Sequence, residues 1–227
     1  MKILLDPGHG PTTNPYPDGV HYEGFQMYYL AYYLFQELKA KGRYTLQSTR
    51  NKVSEDPTTQ ERGEKARGAD LFLSLHSNAC DTPTVDRVVV IPTITNTDAP
   101  FRNFCLQLGD KVKDCLACDG KTQIFDRSYY DVLLKTEVDY YAVLRNAVNV
   151  GCKQALILEH SFHTNAEKAS LLCQTEVLKL LAKKETEIID RYLSPQTVNT
   201  PSYWGHDPAD IVTYNGLWQI LHDTGDE

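Results

Sequence analysis

Lys2-Ile-Leu-Leu-Asp6-Pro-Gly-His9-Gly10 opens the chain with a short apolar run that breaks abruptly into a turn of proline and glycine. The run has the length of a buried strand, and the turn residues stop it at its carboxyl end. An imidazole placed in that turn stands at the edge of a sheet, free of the core. Leu71-Phe-Leu-Ser-Leu-His76-Ser-Asn78 repeats the design and delivers a second histidine at the end of a second strand. Two imidazoles presented in this way point to a metal.

Working outward, short apolar runs alternate with longer helical stretches. This is the pattern of an α/β domain, with a twisted, mostly parallel or mixed sheet of about six strands covered by helices on both faces. Strands are expected at Lys2–Leu5, Tyr44–Ser48, Leu71–His76, Arg87–Ile91 and Ala155–Glu159. From Phe25 to Lys39, Met27, Leu30, Leu34 and Leu38 recur at helical spacing, with Gly42 as a stop. A short charged helix is expected from Thr58 to Arg67. Another runs from Pro100 to Cys115 behind an Asp98 cap, carrying Phe101, Phe104, Leu108 and Val112 on one side. The last helices start after Asn165 and Thr175, where Leu178, Leu181, Ile188 and Tyr192 keep an apolar face. The reading divides the chain into a body, 1–194, and a tail, 195–227. The tail is interrupted by Pro195, Pro201 and Pro208, and it holds both tryptophans, Trp204 and Trp218, among polar residues. It is expected either to dock on the body or to be a linker and the stub of a binding module.

The chain has 227 residues, 41% hydrophobic and 23% charged, enough for a sizeable core. A net charge of −7 without clustered Lys or Arg argues against nucleic-acid binding. No apolar run reaches membrane-spanning length, and Ile3–Leu5 is too short for a secretory signal. A cytoplasmic chain, or one exported by a route it does not encode, is the expectation. Its six cysteines are then expected to be reduced, with Cys115 and Cys118 filling space as small apolar groups.

A catalytic zinc site takes three neutral-nitrogen or carboxylate ligands and leaves a fourth position open. Glu23, in His21-Tyr22-Glu23-Gly24 at the mouth of the first long helix, is the leading carboxylate to join His9 and His76. All three fall in the crevice beyond the carboxyl ends of the strands. Glu159 ends the wholly apolar strand Ala155-Leu-Ile-Leu-Glu159, a costly place for a carboxylate without a task. It is positioned to take the proton of an attacking water that the metal has acidified. Arg145 could stabilise an oxyanion or grip a carboxylate, or simply form a salt bridge. His160, His163 and Asn78 are further candidates for a substrate or oxyanion contact; otherwise the two histidines line the cleft or make local hydrogen bonds and Asn78 tethers its loop, while His21, His206 and His222 read as exposed polar surface.

These motifs, in this order, resemble the zinc-dependent N-acetylmuramoyl-L-alanine amidases of the type-3 class, found in bacterial autolysins and phage endolysins. The likeness rests on Leu5-Asp-Pro-Gly-His-Gly10, Glu23-Gly24, Ser48-Thr-Arg50, Glu61-Arg62, Ala69 to Ala79, Val143-Leu-Arg145-Asn146 and Leu156-Ile-Leu-Glu159. It implies zinc on His9, Glu23 and His76, Glu159 as catalytic acid and base, and peptidoglycan as substrate. The bond cut would be the one joining N-acetylmuramic acid to L-alanine. It also implies an enzyme made in the cytoplasm that reaches the wall on release, through a holin-type pore or on lysis. The same chemistry could instead cut within the stem peptide, and a wall-binding module that kept zinc only for folding is the non-enzymatic alternative. One departure stands out. After the glutamate the family often has Leu-Gly-Phe and then Ser-Asn, where this chain reads His160-Ser-Phe162-His163-Thr-Asn165.

Overall fold

The computed structural model describes residues 1–95 and 98–194 in full, and the backbone of 211–214 and 217–220. The chain forms two compact units, Met1–Ser194 and Pro195–Glu227. In the second, Ile211–Tyr214 pairs antiparallel with Leu217–Ile220. The readings placed on Trp204, His206, His222 and the three tail prolines lie outside the described residues.

The first unit holds a six-stranded mixed sheet. Strands β1 (Lys2–Pro7), β2 (Thr45–Ser48), β3 (Leu71–Asn78), β4 (Val89–Pro92), β5 (Gln123–Ile124) and β8 (Gln154–Phe162) lie in the order β2-β1-β3-β8-β4-β5. Every pairing is parallel except β4 with β8. Side chains alternate strictly between the two faces, as strand geometry requires. Ile3, Leu5, Leu71, Leu73, Leu75, Leu156 and Leu158 pack on one face against α1 (Glu23–Ala40), α3 (Ala99–Leu116), α5 (Ala166–Leu172) and α6 (Thr175–Leu193). Leu4, Phe72, Ala155 and Ile157 pack on the other, against Val143, Leu144 and Ala147 of α4 (Ala142–Asn149) and Ala66 and Ala69 after α2 (Thr59–Glu64). A strand buried on both sides must be apolar at nearly every position, which is why β1, β3 and β8 read as continuous runs.

The expected helices form with the expected faces inward: Met27, Leu30, Leu34, Leu38, Phe101 and Leu108 are all fully buried. Asp98 caps α3, its Oδ1 accepting from Phe101 N at 2.7 Å. Thr58 and Glu61 close a reciprocal capping box on α2, and the helix ends at Glu64, earlier than its charged sequence suggests.

Two strand features go beyond the sequence reading. β5 is two residues long and carries no periodicity. The hairpin of β6 (Ser128–Asp131) and β7 (Thr136–Asp139) is largely exposed, so it lacks the apolar alternation that marks a half-buried strand. Its tip presents Val132, Leu133 and Leu134 to solvent. The six cysteines are free thiols, with Cys118 buried and Cys115 half-buried.

Candidate active site and metal centre

Parallel strands bring their carboxyl ends to one edge, and there the separate segments meet. β1 runs into Gly8-His9-Gly10, where His9 has φ 58°, a left-handed turn that swings its side chain off the strand line. Gly8 lies under the His76 ring, and a Cβ at this position would stand 2.3 Å from His76 Cε1. Gly24 lets α1 approach the same turn, since a Cβ there would meet the Gly10 carbonyl oxygen at 1.8 Å. Two glycines are therefore needed for β1, α1 and β3 to converge.

Glu23, the first residue of α1, is buried between the two imidazoles. Its Oε1 is 3.1 Å from His76 Nδ1 and its Oε2 3.5 Å from His9 Nε2. The ligating atoms of His9, Glu23 and His76 all lie within 4.8 Å of one another. Two further donors fix the carboxylate: Asn14 Nδ2 donates to Oε2 at 2.6 Å and the Ser77 N–H to Oε1 at 2.9 Å. Burial pushes the Glu23 carboxyl up, but His76, His9 and Asn14 outweigh it and hold the group down to about 2. It stays a carboxylate. Burial pulls the His9 pKa down, whereas for His76 the Glu23 contact overcomes burial and raises it.

Beneath His76 lies a buried ion pair. Arg62 of α2 grips Asp6 of β1 through two bonds of 2.7 Å, and Thr49 and Ser74 hydroxyls each donate to Asp6 at 2.6 Å. His76 Nε2 stands 3.1 Å from Ser74 Oγ, whose own hydrogen is given to Asp6. Arg62 Nη2 lies 3.3 Å from the same nitrogen, and these two neighbours fix the ring with Nδ1 facing Glu23. Two imidazoles and one carboxylate, with a second layer of hydrogen bonds behind them, make a donor set that fits catalytic zinc.

Glu159 pairs with His76 across β3 and β8, on the same face of the sheet. It is almost fully buried and its Oε2 has no hydrogen-bond partner among the described residues. Burial pushes its carboxyl up to about 7, against the opposing pull of His76. A carboxyl poised near neutrality beside a metal-ligand cluster can both accept and return a proton.

The remaining candidates have structural partners. His160 points to the opposite face: its Nδ1 donates to the His76 carbonyl oxygen at 3.0 Å and its Nε2 meets Glu185 Oε1 of α6 at 3.0 Å. It is fully buried and does not line the cleft. His163 is also buried, donating from Nδ1 to the Ser77 carbonyl oxygen at 2.8 Å, stacking on Tyr16, and lying 3.9 Å from Glu23 Oε2. Asn78 ties its loop through Oδ1, which accepts from Ala79 N at 2.8 Å. Arg145 Nη1 donates at 2.8 Å to each of the carbonyl oxygens of Asp139 and Tyr140, where β7 meets α4.

The family model described as N-acetylmuramoyl-L-alanine amidase (Amidase_3) matches residues 3–191. The chain belongs to this amidase family. A search of curated proteins returned no match. Among solved structures, the fold of this amidase is that of the catalytic domain of CwlV, an N-acetylmuramoyl-L-alanine amidase from Bacillus (Paenibacillus) polymyxa var. colistinus. That similarity has a TM-score of 0.67 at 16% identity, covering 85% of this chain and 97% of that one. The catalytic domain of the CD27L endolysin targeting Clostridia difficile matches at TM-score 0.53 and 16% identity, over 84% and 97%. Cwp6 from Clostridium difficile matches at 0.69 and 18%, over 85% of this chain but only 29% of that longer one.

The amidase departs from its family's glutamate motif at a β-bulge. Between the pairs His76–Glu159 and Asn78–Phe162, β8 carries one residue more than β3, and Ser161 takes φ 60°. That left-handed conformation is the one glycine adopts at least cost, and here a serine holds it. Here Ser161 Oγ donates to Asp86 Oδ1 at 3.1 Å. Asn14, Asp6 and Ser74 were not singled out as site residues by the sequence reading. Asp6 carried a signal, because a carboxylate inside the first apolar run needs a buried partner.

Proposed function

We propose that this amidase hydrolyses the amide joining the lactyl group of N-acetylmuramic acid to L-alanine in peptidoglycan, with zinc held by His9, Glu23 and His76. The convergence of those three side chains beside a buried, near-neutral Glu159 is the observation that carries the reading. Zinc bound there supplies a Lewis acid that polarises the scissile carbonyl and acidifies water. Glu159, ionised, accepts the proton of the attacking water at the oxygen left unpartnered in the structure, then returns it to the departing alanine nitrogen. Asn14 and the Ser77 N–H keep Glu23 oriented, and Arg62, Asp6 and Ser74 keep His76 oriented. His160 and His163 hold the carboxyl end of β3 through its backbone carbonyls and act as positioning residues.

The test is digestion of purified cell walls. The amidase should release turbid material, expose L-alanine amino termini and leave the glycan intact. Cutting within the stem peptide would expose different end groups and overturn the choice of bond. Glu159→Gln should lose roughly 100-fold or more of the rate while keeping the zinc content of the unmodified protein. Undiminished activity in that variant would remove Glu159 from the mechanism.

A further inference from the structure

A second group of ligating side chains lies on the loop that leads into α1. Asp18 Oδ2 and His21 Nδ1 stand 2.6 Å apart, and Cys173, at the carboxyl end of α5, completes a trio whose ligating atoms all lie within 4.8 Å of one another. We propose that Asp18, His21 and Cys173 form a second metal site, separate from the catalytic centre, for a borderline-soft divalent cation of the zinc class. The cation ties the loop before α1 to the junction of α5 and α6. The inference does not rest on the reaction proposed above.

The donor chemistry selects the ligand. A thiolate, an imidazole and one carboxylate suit zinc and its neighbours, whereas magnesium and calcium prefer oxygen alone. Asp18 Oδ1 is already committed to the N–H groups of Val20 and His21, which pre-orients Oδ2 as the ligating oxygen. Asp18 and His21 side chains are 46% and 40% exposed, so water has access to a fourth position. Around tetrahedral zinc, ligand atoms lie about 3 to 4 Å apart, a spacing this trio, whose ligating atoms lie within 4.8 Å of one another, would reach by small side-chain adjustments.

A cysteine beside a His–Asp pair also invites comparison with a nucleophilic triad. Burial and the Asp18 charge push the Cys173 thiol up to about 11, which leaves it protonated and a poor nucleophile. A divalent cation reverses that balance: the metal–sulfur bond forms as the S–H bond breaks, with one proton released to solvent and no change in oxidation state. The same loop carries Asn14, which holds Glu23 and His9, and Tyr16, which stacks on His163. A cation at its far end therefore anchors the segment that frames the catalytic centre.

Cobalt(II) titration of the metal-free, reduced, full chain separates the two sites, because a thiolate ligand gives a near-ultraviolet charge-transfer band and the His9–Glu23–His76 set contains no sulfur. Two equivalents of cobalt should bind, one of them bringing the band. Cys173→Ser and His21→Ala should each lose the band and one equivalent while keeping the other. His9→Ala should keep the band while losing the other equivalent and wall hydrolysis. A band that survives in Cys173→Ser, or an unmodified chain that binds one equivalent without a band, would overturn the second site. A band without wall hydrolysis would leave the second site standing and count against the proposed reaction alone.

Discussion

Burial of Glu159 ties the chemistry of the site to pH. Its carboxyl sits at about 7, raised by burial, and only the ionised form can take a proton from water. The charge of a bound zinc pulls that value back down, so the rate of wall hydrolysis should fall on acidification through a midpoint below 7, and this acid limb should vanish from the residual activity of Glu159→Gln. The same shift costs stability. The folded value lies above the ordinary 4.5, so the penalty is absent below 4.5, grows between 4.5 and about 7, and is complete above. In urea titrations of the metal-free chain above about pH 7, Glu159→Gln should be more stable than the parent by something on the order of 3 kcal/mol, from 1.36 kcal/mol per unit. A variant no more stable than the parent would contradict the shift. Gly8 makes a different prediction, because a methyl group there would lie 2.3 to 2.6 Å from three atoms of the His76 ring. Gly8→Ala should displace that imidazole and lower zinc content in metal analysis, even where the far-ultraviolet spectrum remains that of a folded chain. His9, Glu23, His76 and Glu159 were legible because a polar residue closing an apolar run, or opening a helix beside glycines, has no structural reason to be there. Of the two roles left open for His160, lining the cleft or making local hydrogen bonds, the second holds, and the sequence carried the signal: Leu156, Leu158 and His160 share a parity, opposite to that of Glu159.

Among the elements, α2 contributes a buried charge to the ground beneath the site. Its short capped helix places Arg62 under the sheet to meet Asp6, and both partners are almost completely buried. Removing one partner strands a charge, so Arg62→Met should cost about 3 to 5 kcal/mol in denaturant unfolding. Converting both, as Asp6→Asn with Arg62→Met, should cost less than that single change. The Asp6 carboxyl, though pushed up by burial, is held below 3.8 by Arg62, Ser74 and Thr49. Its contribution is present above pH 3.8 and is lost as the pH falls through the lower, folded value. The parent should consequently lose stability faster than the double variant on acidification below pH 3.8. Elements with a buried stripe were readable from sequence, as the fully buried Met27, Leu30, Leu34 and Leu38 of α1 show. The β6–β7 hairpin was not, since its residues answer to solvent rather than to a core.

For the molecule as a whole, the hydrophobic clusters found among the described residues lie within the first unit. The mixed sheet was legible at this scale because alternating apolar runs and helices leave few layer arrangements. The reversal of β4 and β5 was not, since strand direction depends on connections whose lengths permit either hand.

The parallel register of β1, β3 and β8 also governs when the site comes into being. Each of these strands reaches its neighbour only through a long crossover, and the three proposed ligands come from a turn, a helix start and a strand end that the final sheet brings together. A nascent or refolding polypeptide thus owns no cage with which to capture a cation early, so metal cannot template this scaffold in the manner of a zinc finger. Ion uptake must trail chain collapse, and refolding speed should be indifferent to whether zinc is in the buffer.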